Sequence, residues 1–518
     1  MKNKIKLRKD RYLRTFLFVL LFTQVVPACV RAEARRALPA RGAGPSAARG
    51  AVSVPDPGCD PSRKRQRITF VHVGDMHANF GFPADKYSRI RAYYLATRKE
   101  NPYTFFTNAG DDHEKGSLAE PLTHGQAVSE VTPAMDFDVR TLGNHDFAWG
   151  EKHLLDFSRD SRALVLASNT RYLGDNAKAF GGKEFGILKA GCLRVGFFGM
   201  LSPPWNELDE NYNDEYFPAF QTSYAYEYVA RKIVETYRGE VDLLVMVSHL
   251  KYIDDLALAQ AVPGIDLVLG GHSHTGAQAQ KVGNTLVVQP NYFADGVTRV
   301  DLDVDLASRK ILSVKRKEKT VASLGEIDPA MHQTIAAVLA KYAPDARKTV
   351  AYLDYARDAQ GTAWIAAKAA MSVHKADAAL LDPGRVYQYR LLPLGAVTPQ
   401  DILDVYSSER QKPDTPGINS FYLAEVSGES LKTMRDRQNT WVYSGPAAPD
   451  PEGLYRLILQ KGPALDPGVF FPDTVSLQNV KFLSEAWETL TADAEGRTAA
   501  CLHLDTSRPL SGCRKKEE

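Results

Sequence analysis

Cysteine is scarce in this chain: five among 518 residues, and none at the spacing of a thiolate metal cluster. A Cys-type structural zinc site is therefore excluded. Long apolar runs are also lacking. The stretch Phe16 to Val26 is shorter than the ~18 residues a membrane span requires. Charge of one sign is lacking as well, with 64 Lys and Arg against 62 Asp and Glu. A balance this even argues against a binder of nucleic-acid polymers. No internal repeat is evident, which sets a repeat architecture aside. What remains is ordinary globular composition, 44% hydrophobic and 24% charged. The length is too great for one ordinary core and predicts two folded domains plus ends.

The small basic excess is local. Residues 1–32 hold eight Lys and Arg and one Asp, so the remainder carries 56 basic against 61 acidic side chains. Lys2 to Arg14 form a positive leader, Phe16 to Val26 an apolar stretch, and Val30-Arg31-Ala32 a small-residue cleavage site. This is the pattern of a secretory signal peptide, with an uncleaved anchor helix as the alternative. It implies export to a periplasm or cell surface. Val26-Pro27-Ala28-Cys29 loosely resembles a lipobox, which makes Cys29 a candidate lipid anchor, although Pro27 is unusual there. Export permits disulfides. The cysteines after Cys29 allow three connectivities, of which Cys501 with Cys513 is the expected pair. Residues 33–66, rich in Ala, Arg, Gly and Pro, read as a disordered linker.

From Ile68 the pattern alternates strand and helix. Apolar runs at Ile68–Val73, Thr104–Thr107, Val139–Leu142, Ala163–Ala167, Val195–Met200, Leu243–Val247 and Leu267–Leu269 read as strands. Tyr226–Tyr237 and Ile253–Ala261 read as amphipathic helices between them. This alternation predicts an α/β sandwich. Thr285–Gln289, Val297–Val304 and Ile311–Val314 follow without helices, so part of the sheet is mixed or antiparallel. Helices over Ile327–Tyr342, Gly361–His374 and Thr398–Tyr406, with strands at Ala376–Leu381 and Phe421–Val426, predict a second α/β domain. The expected divisions are 1–32, 33–66, 67–325, 326–500 and a tail, 501–518.

Most of the strands of the first domain end in the same kind of punctuation. Gly74-Asp75-Met76-His77 follows the first; Gly110-Asp111, Gly143-Asn144-His145-Asp146, Ser248-His249 and Gly271-His272-Ser273-His274 follow later ones. Open α/β sheets bind ligands at the carboxyl ends of their strands. Carboxylate oxygens and imidazole nitrogens together suit zinc, manganese or iron. Asp75, His77, Asp111, Asn144, His249, His272 and His274 are too many ligands for one ion. Two sets sharing one Asp make two sites about 3.5–4 Å apart, the shared negative charge offsetting cation repulsion. A lone histidine is more often a core or surface residue. On that ground His72 is read as structural, His153 as surface, and Asp112 as supporting or solvated.

In this order the five blocks resemble the motifs of calcineurin-like metallophosphoesterases, and the overall layout is similar to the exported, two-domain 5′-nucleotidase branch. The resemblance implies a four-layer α/β/β/α metallophosphoesterase sandwich with a smaller C-terminal α/β domain of 5′-nucleotidase type. It implies two divalent cations, one held by Asp75, His77, Asp111 and His274, the other by Asp111, Asn144, His249 and His272. It makes His145 a catalytic residue acting on the phosphoryl group, with Asn144 and Arg385 as substrate contacts. The implied substrate is a small phosphoester, a nucleotide first.

The chain departs from that branch in two places. Its Gly-Asn-His-Glu-Phe-Asp pattern is here Gly143-Asn144-His145-Asp146-Phe147-Ala148, and Ala148 cannot orient an imidazole. Asp146 stands next to His145 in sequence without being set to face it. In the C-terminal domain, Leu380-Leu381-Asp382-Pro383-Gly384-Arg385 keeps one glycine of a phosphate-binding strand end, Val405-Tyr406-Ser407-Ser408 replaces a Pro-Phe, and a late Gly-rich stretch has no counterpart. Arg385 or Arg390 is the candidate anion contact. Leu201 to Phe220, aromatic and acidic, reads as an insertion, a packed surface loop first and a loop shaping a substrate pocket on the catalytic face as the alternative. Three functions follow in order: a nucleotide phosphomonoesterase, a diesterase or other hydrolase of the same fold on a non-nucleotide substrate, and a non-catalytic surface binding protein.

Overall fold

The strand Arg65–Val73 alternates between two environments and so explains the layering. Ile68 and Phe70 join a buried cluster with Phe105, Phe197, Val245, Leu269 and Val300, contributed by two different sheets. Val71 and Val73 point the other way, to the helix Lys86–Glu100. Burying one such side chain contributes about 1.5–3 kcal/mol, and this strand buries them on both faces. The protein is described by a computed structural model covering residues 58–81, 85–160, 162–173, 182–202, 220–353, 357–386, 391–406, 409–410, 415–438 and 440–496. The expected export signal, Cys29, most of the linker, most of the Leu201–Phe220 insertion, Arg390 and the Cys501–Cys513 pair lie outside these residues.

Two six-stranded sheets stack. The first runs Ile311–Thr320, Gly296–Asp305, Arg65–Val73, Thr104–Asn108, Val139–Thr141, Leu164–Leu166. The second runs Gln278–Val282, Thr285–Gln289, Leu267–Gly270, Leu243–His249, Leu193–Leu201, Gly186–Ala190. In the first sheet the four strands from Arg65–Val73 to Leu164–Leu166 are parallel and the other two antiparallel; in the second the four central strands are parallel and the two edge strands antiparallel. Helices Tyr226–Tyr237 and Tyr252–Ala261 cover the outer face of the second sheet. Lys86–Glu100 and Pro329–Tyr342 cover the first. This is the expected α/β/β/α sandwich.

A five-stranded mixed sheet follows, ordered Val442–Ser444, Ala378–Leu381, Leu454–Gln460, Ser420–Ser427, Gln478–Glu485. Helices Ala359–His374 and Ala486–Gly496 pack on one face of it. The division expected near residue 325 separates sheets, while one hydrophobic cluster runs from Val71 to Ala494 through both regions. The helix expected from Ile327 begins at Pro329, because Asp328 accepts a hydrogen bond from the Ala330 amide (3.1 Å) and proline suits the first turn.

The linker reading of 33–66 runs too far. The first strand starts at Arg65, and Cys59 is disulfide-bonded to Cys192. Tyr103 donates to the Gly58 carbonyl (3.0 Å) nearby. Short strands at Thr170–Tyr172, Gly186–Ala190, Phe220–Thr222 and Gln278–Val282 carry too few apolar residues to be seen in sequence; pairing with a neighbour makes them strands.

Candidate metal centre and its surroundings

The seven candidate ligands follow five parallel strands and meet between the two sheets. Asp75, His77, Asp111 and His274 form one group, and Asp111, His249 and His272 another, with ligand atoms in each within 4.8 Å of one another. Asp111 belongs to both. Asn144 joins the second group through its Oδ1, 3.2 Å from His249 Nε2. The turns that deliver them are tight. Asp75, His77, Asp111, His272 and His274 all have positive φ, a conformation non-glycine residues rarely adopt outside functional sites. Gly143 is required by crowding: a Cβ there would lie 2.1 Å from Asp111 Oδ1.

The donor set fits cations. His77 Nδ1 contacts the His113 carbonyl (2.9 Å) and His249 Nδ1 the Ala109 carbonyl (2.7 Å). A carbonyl only accepts, so each Nδ1 carries a proton and Nε2 is the atom turned inward. There His77 Nε2 meets His274 Nε2 at 3.1 Å, and His249 Nε2 meets Asp111 Oδ2 at 3.0 Å. Imidazole nitrogens and carboxylate oxygens crowded this closely in a buried site call for positive charge among them, carried by imidazole protons or by cations. The electrostatics agree. Burial opposes ionisation of Asp75, yet the hydrogen bond and charge of His274 hold its carboxyl below the usual carboxylate range. Burial lowers His249, but Asp111 outweighs it and pushes the imidazole up to about 9. His77 is held well below its ordinary value by burial and by Lys115.

Residues 68–276 match the family model described as calcineurin-like phosphoesterase. This stretch is a calcineurin-like phosphoesterase domain. Such a domain uses a dinuclear metal centre, and the two groups sharing Asp111 are placed for one. The chain is 24% identical over 269 residues to the uncharacterized metallophosphoesterase YunD of Bacillus subtilis, covering 51% of this chain and 55% of that one. It is 25% identical over 231 residues to the 5′-nucleotidase of Rattus norvegicus, 42% of this chain and 39% of that one. The chain thus spans about half or less of the length of these curated relatives. The solved 5′-nucleotidase precursor of Thermus thermophilus matches in fold, with TM-score 0.62, 18% identity, and coverage of 83% of this chain and 96% of that one.

His145 sits at the edge of the phosphoesterase cluster, its ring 4.9 Å from that of His77. Its backbone amide donates to Asp111 Oδ1 (2.8 Å). Asp146 does not face it. Asp146 instead accepts from the amides of Asp111, Asp112 and Gly143 (3.2, 2.9 and 2.8 Å) and pairs with His113 at 3.0 Å. The carboxylate on His145 is Glu114, whose Oε2 lies 2.5 Å from Nδ1. Sequence reading passed over Glu114, three residues beyond Asp111 in a run of acidic and histidine residues. It also passed over Tyr292 and Phe293, which pack on the ligand imidazoles. Tyr292 stacks on His274 with centroids 4.8 Å apart, and Phe293 meets His77 edge-on at 5.3 Å.

The other candidates resolve as follows. His72 is buried and structural, bonded to Thr107 Oγ1 (2.8 Å) and the Gly270 carbonyl (3.1 Å), so it joins the two sheets. Asp112 is buried against Arg140 at 2.7 Å and is not solvated. His153, expected at the surface, is half-buried with Nε2 2.9 Å from His113 Nε2. Arg385 pairs with Asp382 (3.5 Å) and lies over the Phe470 ring (5.2 Å). Tyr406 is fully buried and donates to the Thr362 carbonyl (3.0 Å), which makes it core.

Proposed function

We propose that this protein is an exported phosphoester hydrolase that works with two divalent cations, zinc, manganese or iron, and takes nucleotides as its first substrate class. The observation that carries the reading is the sharing of Asp111 between two buried donor groups. Asp75, His77, Asp111 and His274 would hold one cation; Asp111, Asn144, His249 and His272 the other. When bound, the pair polarises phosphate oxygens and lowers the pKa of water at neutral pH. Asp111 holds the two groups together and, through its Oδ1, fixes the backbone of His145. His145 stands where its imidazole can offset charge developing on the phosphoryl group or protonate the leaving oxygen. Asn144, beside it, is both ligand and substrate contact. In this reading Arg385, the anion contact expected from sequence, is left to its contacts with Asp382 and Phe470.

Export is supported by the leader pattern and by the Cys59–Cys192 disulfide, since such bonds persist in oxidising compartments. Lipidation of Cys29 would anchor the exported chain. No described helix is long and apolar enough to cross a membrane.

A second reading, hydrolysis of a diester or a non-nucleotide phosphoester, is favoured by the C-terminal region, where Arg385 is engaged with Asp382 and Phe470. A substrate panel on the manganese- or zinc-loaded chain separates the two: nucleoside monophosphates, cyclic nucleotides, sugar nucleotides and a chromogenic diester. His145→Asn is expected to keep two equivalents of metal while turnover falls ~10²–10⁴-fold. Unchanged turnover would remove His145 from the chemistry; two bound equivalents with no turnover on any ester would favour the non-catalytic binding protein.

A further inference from the structure

The carboxylate behind His145 comes from an unexpected part of the chain. Ala148 offers only a methyl group, and Asp146 is engaged by the loop backbone, His113 and Arg140. Glu114 reaches His145 from the segment that follows Asp111, with its side chain fully buried. A buried carboxylate needs partners on both oxygens. Its Oε1 accepts from the backbone amide of Arg410 at 3.0 Å and from the Arg410 guanidinium at 3.2 Å. Arg410 belongs to the C-terminal region, almost 300 residues away in sequence. Its guanidinium lies 3.9 Å over the Trp149 ring and 4.0 Å from Glu485. Trp149 Nε1 donates to Glu120 (2.8 Å), and the same Glu120 oxygen accepts the Glu114 amide (3.1 Å). The neighbouring Lys115 pairs with Glu409 at 2.7 Å. Glu114 and Lys115 both have positive φ, so this short loop is held in a conformation that its surroundings must impose.

We propose that Glu114 is the positioning residue for His145, and that Arg410 from the C-terminal region sets Glu114 in place. Glu114 receives the Nδ1 proton of His145 as a hydrogen bond, which fixes the ring and its tautomer and leaves Nε2 for the phosphoryl oxygens. Arg410 holds the opposite oxygen, so the carboxylate cannot swing away. The catalytic imidazole is thereby tied to seating of the 409–410 segment. This rests on the role given to His145 above, and it adds a residue and a regional coupling that the strand-end motifs do not contain.

The test uses the full chain with labelled histidine, with and without zinc. A downfield Nδ1–H proton resonance, assigned to His145 by its loss in His145→Asn, should vanish or shift in Glu114→Gln and move in Arg410→Met. In the zinc-loaded protein Glu114→Gln should lower kcat ~10²-fold, with KM within about twofold and metal content unchanged. Glu114→Gln combined with His145→Asn should be no slower than His145→Asn alone, as groups acting through one another are non-additive. If Glu114→Gln does not fold, Arg410→Met carries the test through its own resonance shift and a ~10-fold loss of kcat. An unmoved resonance, or a double variant slower by the product of the two, overturns the proposal. Absence of any phosphoester turnover would strike the functional reading alone, because the resonance reports the contact without it.

Discussion

The strand-end cluster and the C-terminal sheet obey different rules. In the first, every residue picked out as a ligand converges, because coordination demands particular atoms and each turn delivers one or two side chains at the end of a parallel strand. In the second, Arg385, picked by position within a weakened motif, pairs with Asp382. What the C-terminal region does bring to His145 is Arg410, which belongs to no motif. The lesson is that metal chemistry writes itself into local sequence, whereas support for a catalytic side chain is a matter of which remote segments meet.

The comparison breaks most readily at Asp111. Asp111→Asn removes half of the shared charge-bearing group and is expected to abolish measurable turnover, a loss of ~10³-fold or more, by steady-state assay on the loaded chain. Retained activity would mean that the two donor groups do not work as one site.

A smaller effect tests the scaffold under the cluster. Burial pushes His72 down to about 4, against its hydrogen bonds to Gly270 and Thr107, which raise it. A histidine whose folded value lies below its unfolded 6.5 is kept neutral by folding, so the unfolded chain takes up a proton that the native one refuses as pH falls from about 6.5 to about 4. Stability therefore drops across that window, by roughly 2–3 kcal/mol from this group. His72→Gln, which keeps polar atoms near Thr107 and Gly270, should flatten the acid limb of denaturant melts between pH 6.5 and 4. An unchanged acid limb would show that His72 carries no such role.

The smallest expected effect lies in the C-terminal region. Arg385→Ala should change KM by less than about twofold and stability by under ~1 kcal/mol, since it loses one partly exposed pair and a contact over Phe470. A large rise in KM would instead make Arg385 a substrate contact and shrink the contrast between the regions.

The α/β/β/α layering was legible because Ile68 to Val73 and its fellows are apolar runs with Gly-containing ends. The ligand set was legible because the types are chemically narrow. Glu114 was not, although it stands three residues from Asp111, because nothing local distinguishes it from Asp112 or Glu120; only the fold decides which carboxylate faces the imidazole. The Cys59–Cys192 bond was hidden for the same reason, joining residues 133 apart at the edge of an expected linker. Tyr292 and Phe293 lie in a turn with no motif and gain meaning from the rings they pack on.

The central claim is that Asp111 holds two cations at once. Elemental analysis of the full chain after loading with zinc or manganese and desalting measures it directly. The account predicts two equivalents per chain, falling to one or none in Asp111→Asn while the protein remains folded. Fewer than two equivalents in the natural chain, or two retained in Asp111→Asn, would contradict it.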